Sequence, residues 1–145
     1  RVMTFINIDY EACGNWAERR NIPYTGYIDL AGRAEIYQLV AQCIEQVNAD
    51  LAADPMMADS QIHRFLVLHK ELDPDDGELT RTRKVRRRAI ADKYAPLIEA
   101  LYDDRASCFI ETQVRFEDGR VGSVSADLRL VDAKTFPAAA ARRAA

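Results

Sequence analysis

No uninterrupted apolar stretch in these 145 residues approaches the roughly 18 needed for a membrane span. The three cysteines, Cys13, Cys43 and Cys108, are odd in number and widely spaced, which excludes a disulfide frame and the spacing of a zinc site. They suit a reducing compartment and buried thiols. The six glycines are scattered singly, so no glycine-rich phosphate loop is present. No aromatic is interleaved with the arginines for base stacking, and the net charge is −3 with pI near 5.4, which argues against nucleic acid. The carboxylates of Asp73, Asp75 and Asp76 lack the spacing of a calcium-binding EF-hand loop, and His63 and His69 have no third ligand suggested, so no metal is expected. No internal repeat is apparent. A content of 48% hydrophobic and 30% charged residues is ordinary for a globular chain of one domain.

What is there reads as an α+β domain, a small sheet flanked by helices with a C-terminal hairpin. Residues 2–8 alternate as a strand: Val2, Thr4, Ile6 and Ile8 on one face, Met3 and Phe5 on the other, both faces covered. Asp9 is placed to cap a helix running through Arg20, and Ile22-Pro23 ends that segment. A longer helix is predicted over residues 31–53, with Ile36, Leu39, Val40, Cys43, Ile44, Val47 and Leu51 as a core stripe. Residues 65–69 form an apolar run suited to a central strand. The turn at residues 73–77 uses proline to fix one dihedral and glycine to supply an unusual one. A helix after residue 88 is expected to kink or restart at Pro96. Asp118-Gly119, set between alternating runs at 108–116 and 121–128, predicts a hairpin. Trp16 and Tyr24 read as core or interface residues.

The most informative segment is Asp75-Asp76-Gly77-Glu78-Leu79-Thr80-Arg81-Thr82-Arg83-Lys84-Val85-Arg86-Arg87-Arg88. Six of the eight residues from Arg81 to Arg88 are cationic. By their chemistry alone these residues leave three readings open. They form a solvated acidic turn and basic helix face, or a nucleic-acid patch, or a mobile lysine that reaches a phosphate-containing site.

The stretch Gly77-Glu78-Leu79-Thr80-Arg81-Thr82-Arg83-Lys84-Val85-Arg86-Arg87 resembles the C-terminal lysine motif of the adenylate-forming ligases. It is closest to the form found in long-chain fatty acyl-CoA synthetases, the bubblegum-type group included. Residues 15–24, 64–73 and 89–102 resemble the same group, so the resemblance reaches nearly to Phe136. Arg81 stands where the family usually has proline, a departure that loosens the loop without removing its lysine.

The resemblance implies two half-reactions. A fatty acid carboxylate attacks the α-phosphate of ATP to give an acyl-adenylate and pyrophosphate, and the thiolate of CoA then displaces AMP. It implies that Lys84 offsets the charge of the first step. By their hydroxyl chemistry Thr80 and Thr82 are placed to shape the loop or cap the next helix. Arg86, with Arg87 and Arg88, reads either as a solvated face or as a contact for the phosphates of CoA or of anionic lipid heads. The resemblance further implies that residues 1–136 are the C-terminal lid domain of the ligase without its hinge and first elements. The tail, residues 137–145, is expected to be disordered.

ATP and magnesium would be bound mainly by an N-terminal adenylation domain, the chain's main partner, and the isolated fragment would be inactive. The expected location is cytoplasmic, with peripheral contact at the inner membrane left open. The sheet would keep an incomplete edge, so the fragment is expected to dimerise or to need its N-terminal neighbour. The alternative is a stand-alone interaction module that binds an acidic partner or nucleic acid through residues 81–88.

Overall fold

The Asp9 carboxylate accepts a hydrogen bond from Ala12 N at 3.0 Å, and this cap turns the first strand into the first helix. The computed structural model describes residues 1–116 and 118–139. Its elements are β1 (Val2–Ile6), α1 (Tyr10–Arg19), α2 (Tyr27–Gly32), α3 (Ala34–Ala53), β2 (Ile62–Val67), α4 (Arg87–Lys93), α5 (Ala95–Tyr102), β3 (Ser107–Arg115), β4 (Val121–Arg129) and β5 (Val131–Asp132).

The order is the α+β arrangement expected. β2 lies between β1, parallel to it, and β5, antiparallel, with Phe5 opposite Leu66 and Phe65 opposite Val131. β3 and β4 form a separate antiparallel hairpin, paired from Ser107–Arg129 to Arg115–Val121. Its loop has Gly119 in the left-handed region at φ 85°, as an Asp-Gly turn requires; Glu117 lies outside the described residues.

Alternation along β2 divides the core in two. Phe65 and Val67 face α1, α2 and α3, packing with Ala17, Leu30 and Ile36. Leu66 points the other way, and with Leu68 it packs on Tyr94 and Leu97 of the α4–α5 region and on Ile110 and Leu128 of the hairpin. All of these are buried. Helices therefore cover one face of the sheet, and a helix pair with a hairpin covers the other.

Two expectations need correction, and one buried residue is new. The helix predicted over residues 31–53 is two helices, because Arg33 is extended (φ −71°, ψ 140°) and separates α2 from α3. Only part of the predicted stripe is core. Ile36 and Ile44 are buried and Val40 packs against the same cluster, whereas Leu39, Cys43 and Val47 line an open apolar groove of about 400 Å³ that also reaches Ile6, Ile8 and Ile44. Finally, Asn48 on the same helix is fully buried and was not anticipated. It donates to the carbonyls of Ile62 and Lys134 and accepts from Ile62 N, tying α3 to the start of β2 and to the returning chain.

The restart at Pro96 is as expected: α4 ends at Lys93 and proline occupies the first turn of α5. The far end of α5 is closed by Arg64 of β2, whose guanidinium donates to the carbonyls of Ala100 (3.0 Å), Leu101 (3.2 Å), Asp103 and Arg105. Cationic donors satisfy the orphan carbonyls and complement the helix dipole. Past Phe136, Ala139 N donates to Ala52 O, and residues 140–145 of the predicted tail lie outside the described residues.

Candidate functional site

The site begins at the turn that follows β2. Asp73 accepts from Asp75 N through its side chain and from Asp76 N and Glu78 N through its carbonyl. Pro74 starts a single 3₁₀ turn, and Gly77 ends it at φ 74°, where glycine carries no steric penalty. The chain then makes a short hairpin. Leu79 and Val85 pair antiparallel, and Arg86 N donates to Glu78 O at 3.0 Å.

Thr80 and Lys84 close the hairpin, with Thr80 N donating to Lys84 O at 2.8 Å. Arg81, Thr82 and Arg83 form the loop, turned by a bond from Arg83 N to Thr80 O at 2.9 Å. The β3–β4 loop shows the same pair of bonds, Phe116 N to Arg120 O and Gly119 N to Phe116 O. The left-handed residue there is Gly119, but in the lysine hairpin it is Arg83, at φ 63°. A non-glycine residue in that region costs roughly 1–2 kcal/mol.

The threonines shape this loop. Thr80 Oγ1 accepts from Lys84 N at 3.0 Å and lies 3.1 Å from Thr82 Oγ1. Neither caps the following helix: the N-cap of α4 is Arg86, without a side-chain cap bond. Arg86 is turned back to the base of the hairpin, where its guanidinium donates to Gly77 O at 3.0 Å.

Thr80 through Arg88 are all exposed, Lys84 among them. Among the described residues no carboxylate lies within ion-pair distance of Lys84 Nζ. Thr80, Thr82 and Lys84 therefore share the tip, and Arg86 sits at the root.

Beneath the exposed tip lies a buried polar cluster that sequence reasoning missed. The Glu78 carboxylate, 1% exposed, receives the Lys70 ammonium and Asp73 N on one oxygen and the Tyr94 hydroxyl and Lys93 ammonium (3.1 Å) on the other. Lys70 also pairs with Asp76 at 2.9 Å. Burial by itself would raise the Glu78 pKa, but hydrogen bonds from Lys70 and Tyr94 and the nearby ammonium charges hold it below the ordinary carboxylate value. Burial and the Glu78 charge push the Tyr94 phenol far upward.

Next to this cluster, His69 is buried with Nε2 3.2 Å from Thr112 Oγ1, and burial together with the Lys70 charge lowers its pKa to about 4. In the sequence Tyr94 lies in the helix expected after residue 88 and Lys70 just past the apolar run at 65–69, and neither position hints at the other. The available signal was Glu78, an acid between a turn and a buried leucine.

No family model and no solved structure matches this sequence. Curated proteins do. The long-chain-fatty-acid–CoA ligase FadD15 of Mycobacterium tuberculosis is 33% identical over 99 residues, 68% of this chain and 16% of that protein. The long-chain-fatty-acid–CoA ligase ACSBG1 of Bos taurus is 32% identical over 72 residues, 50% of this chain and 9% of that protein. The protein of the same name from Mus musculus is 30% identical over 70 residues, 48% of this chain and 9% of that protein. The chain thus spans about a sixth or less of the length of these relatives. Over as many as 99 of its residues it is similar to long-chain-fatty-acid–CoA ligases, the enzymes its lysine motif resembles.

Proposed function

We propose that this chain is the C-terminal portion of an ATP-dependent long-chain fatty acid–CoA ligase and that Lys84 is its adenylation lysine. The observation that carries the reading is a lysine exposed at the tip of a threonine-shaped hairpin and, among the described residues, without an ion-pair partner, in a chain whose curated relatives are named as such ligases. In the first half-reaction a carboxylate oxygen bonds to the α-phosphorus of ATP, and the bond to the β-phosphate oxygen breaks to release pyrophosphate. Two anions must meet, and their repulsion at about 4 Å amounts to several kcal/mol once water is excluded. An ammonium between carboxylate and phosphate oxygens offsets that charge, and the long lysine stem suits delivery by a moving element.

In the second half-reaction the CoA thiolate bonds to the acyl carbon, and the acyl–phosphate bond breaks to release AMP. Lys84 has no part in that step. ATP, fatty acid and the N-terminal adenylation domain that holds them belong to the longer protein of this reading, which would act in the cytoplasm. Magnesium accompanies ATP in such chemistry. Among the described residues no three His, Cys, Asp or Glu side chains converge, so none of them is assigned to holding it.

Lys84→Ala in the full-length protein tests the reading. It is expected to abolish adenylate formation from ATP and a long-chain fatty acid, while thioester formation from supplied acyl-adenylate continues. Retained adenylation would remove Lys84 from the reaction. It would also favour the other use of the cationic run from Arg81 to Arg88, salt-sensitive binding of an anionic partner.

A further inference from the structure

We infer that Glu78, gripped by Lys70, Lys93 and Tyr94, is a positioning residue that fixes where the hairpin presents Lys84. The inference rests on the adenylation role of Lys84 and names a device that role needs. Between Glu78 and Arg88 only Glu78 and Leu79 are buried. The tip itself touches little, so packing at the tip cannot set the lysine's location. The loop bonds fix the shape of the hairpin but not its direction from the body of the domain.

Direction is set at Glu78. Its backbone carbonyl accepts from Arg86 N and so holds both hairpin strands, while its carboxylate is clasped from three separate places in the chain. Lys70 comes from the connection just after β2, Asp73 N from the acidic turn, and Lys93 with Tyr94 from the junction of α4 and α5. The hairpin's entry and the helix that follows its exit are thereby tied to one carboxylate.

The chemistry of the cluster favours positioning over bulk stability. Burying ions costs several kcal/mol each, and a well-packed apolar side chain would hold a fold about as well. An apolar contact, however, is non-directional, whereas four donors on one carboxylate fix its orientation. Displacement of a reacting group by about 1 Å can cost about 10²-fold in rate, so a lysine on an exposed loop needs such a fixed root.

The inference separates the two half-reactions, because only adenylation uses Lys84. Glu78→Gln keeps the shape and removes the charge. Tyr94→Phe keeps the ring, packed edge-on to Phe5, and removes one donor. In the full-length protein each is expected to slow pyrophosphate release by roughly 10- to 100-fold while leaving thioester formation from supplied acyl-adenylate within about twofold.

Should Glu78→Gln fail to fold, Lys93→Met carries the same test, because that ammonium is the outermost of the donors at 23% exposed. Equal losses in both half-reactions would overturn the inference and leave the cluster a stability element. Failure of the underlying reading shows separately, as undiminished pyrophosphate release by Lys84→Ala alone.

Discussion

Arg83 is where a single residue departs most from its easiest conformation. At φ 63° it occupies the position that Gly119 fills in the equivalent β3–β4 loop. Arg83→Gly relieves roughly 1 kcal/mol of strain, so the loop and pyrophosphate release should both survive it. Arg83→Pro cannot reach positive φ and removes the N–H that bonds Thr80 O, and it should slow pyrophosphate release by roughly tenfold or more. Full activity in the proline variant would mean that the observed loop is not the working one.

His69 makes a second prediction at this scale. Its ordinary pKa of 6.5 is lowered to about 4 by burial and by the Lys70 charge. Between those values the unfolded chain binds a proton that the folded chain refuses. Stability is therefore complete above pH 6.5 and falls as pH drops toward about 4. At about 1.4 kcal/mol per pH unit the full loss is on the order of 3 kcal/mol. Urea unfolding at pH 7 and pH 5 should show the decline, and His69→Phe should flatten it. An equally steep decline in the variant would place the titration elsewhere.

At the scale of elements, the sequence was legible wherever a local signal had a local cause. The Asp9 cap, the restart at Pro96 and the Asp118-Gly119 hairpin each follow from one or two residues. The break at Arg33 was hidden because a helix of six residues, α2, is too short to show a period of its own. The stripe on α3 was visible, but what each of its residues would meet was not. Periodicity gives a face and not its partner, so Leu39 and Val47 were read as core although they line a groove.

Asn48 escaped for the complementary reason: one polar residue within an apolar stripe carries no sign that three backbone bonds await it. Asn48→Leu leaves those backbone groups unsatisfied and is expected to cost roughly 3 kcal/mol of unfolding free energy, measured by urea titration. An unchanged midpoint would show that water replaces the amide.

Across the whole molecule, the resemblance found in residues 77–87 reached further than composition or periodicity could. It singled out Lys84, Thr80 and Thr82, which the structure gathers at one exposed tip, and Arg86, which it places at the root. It gave no role to Lys70, Glu78, Lys93 and Tyr94, because their meeting depends on β2, the acidic turn and α4 folding against one another. The molecule joins an exposed cationic tip to a buried, charge-fixed base, and adenylation would use the first only as the second directs it.

The most direct measurement is pyrophosphate release by the full-length protein, wild type beside Lys84→Ala, with ATP, magnesium and a series of fatty acids of increasing chain length. Release by the wild type on long chains, with none from the variant, is the result this account predicts. Equal release by both proteins, or none from either at any chain length, would contradict it.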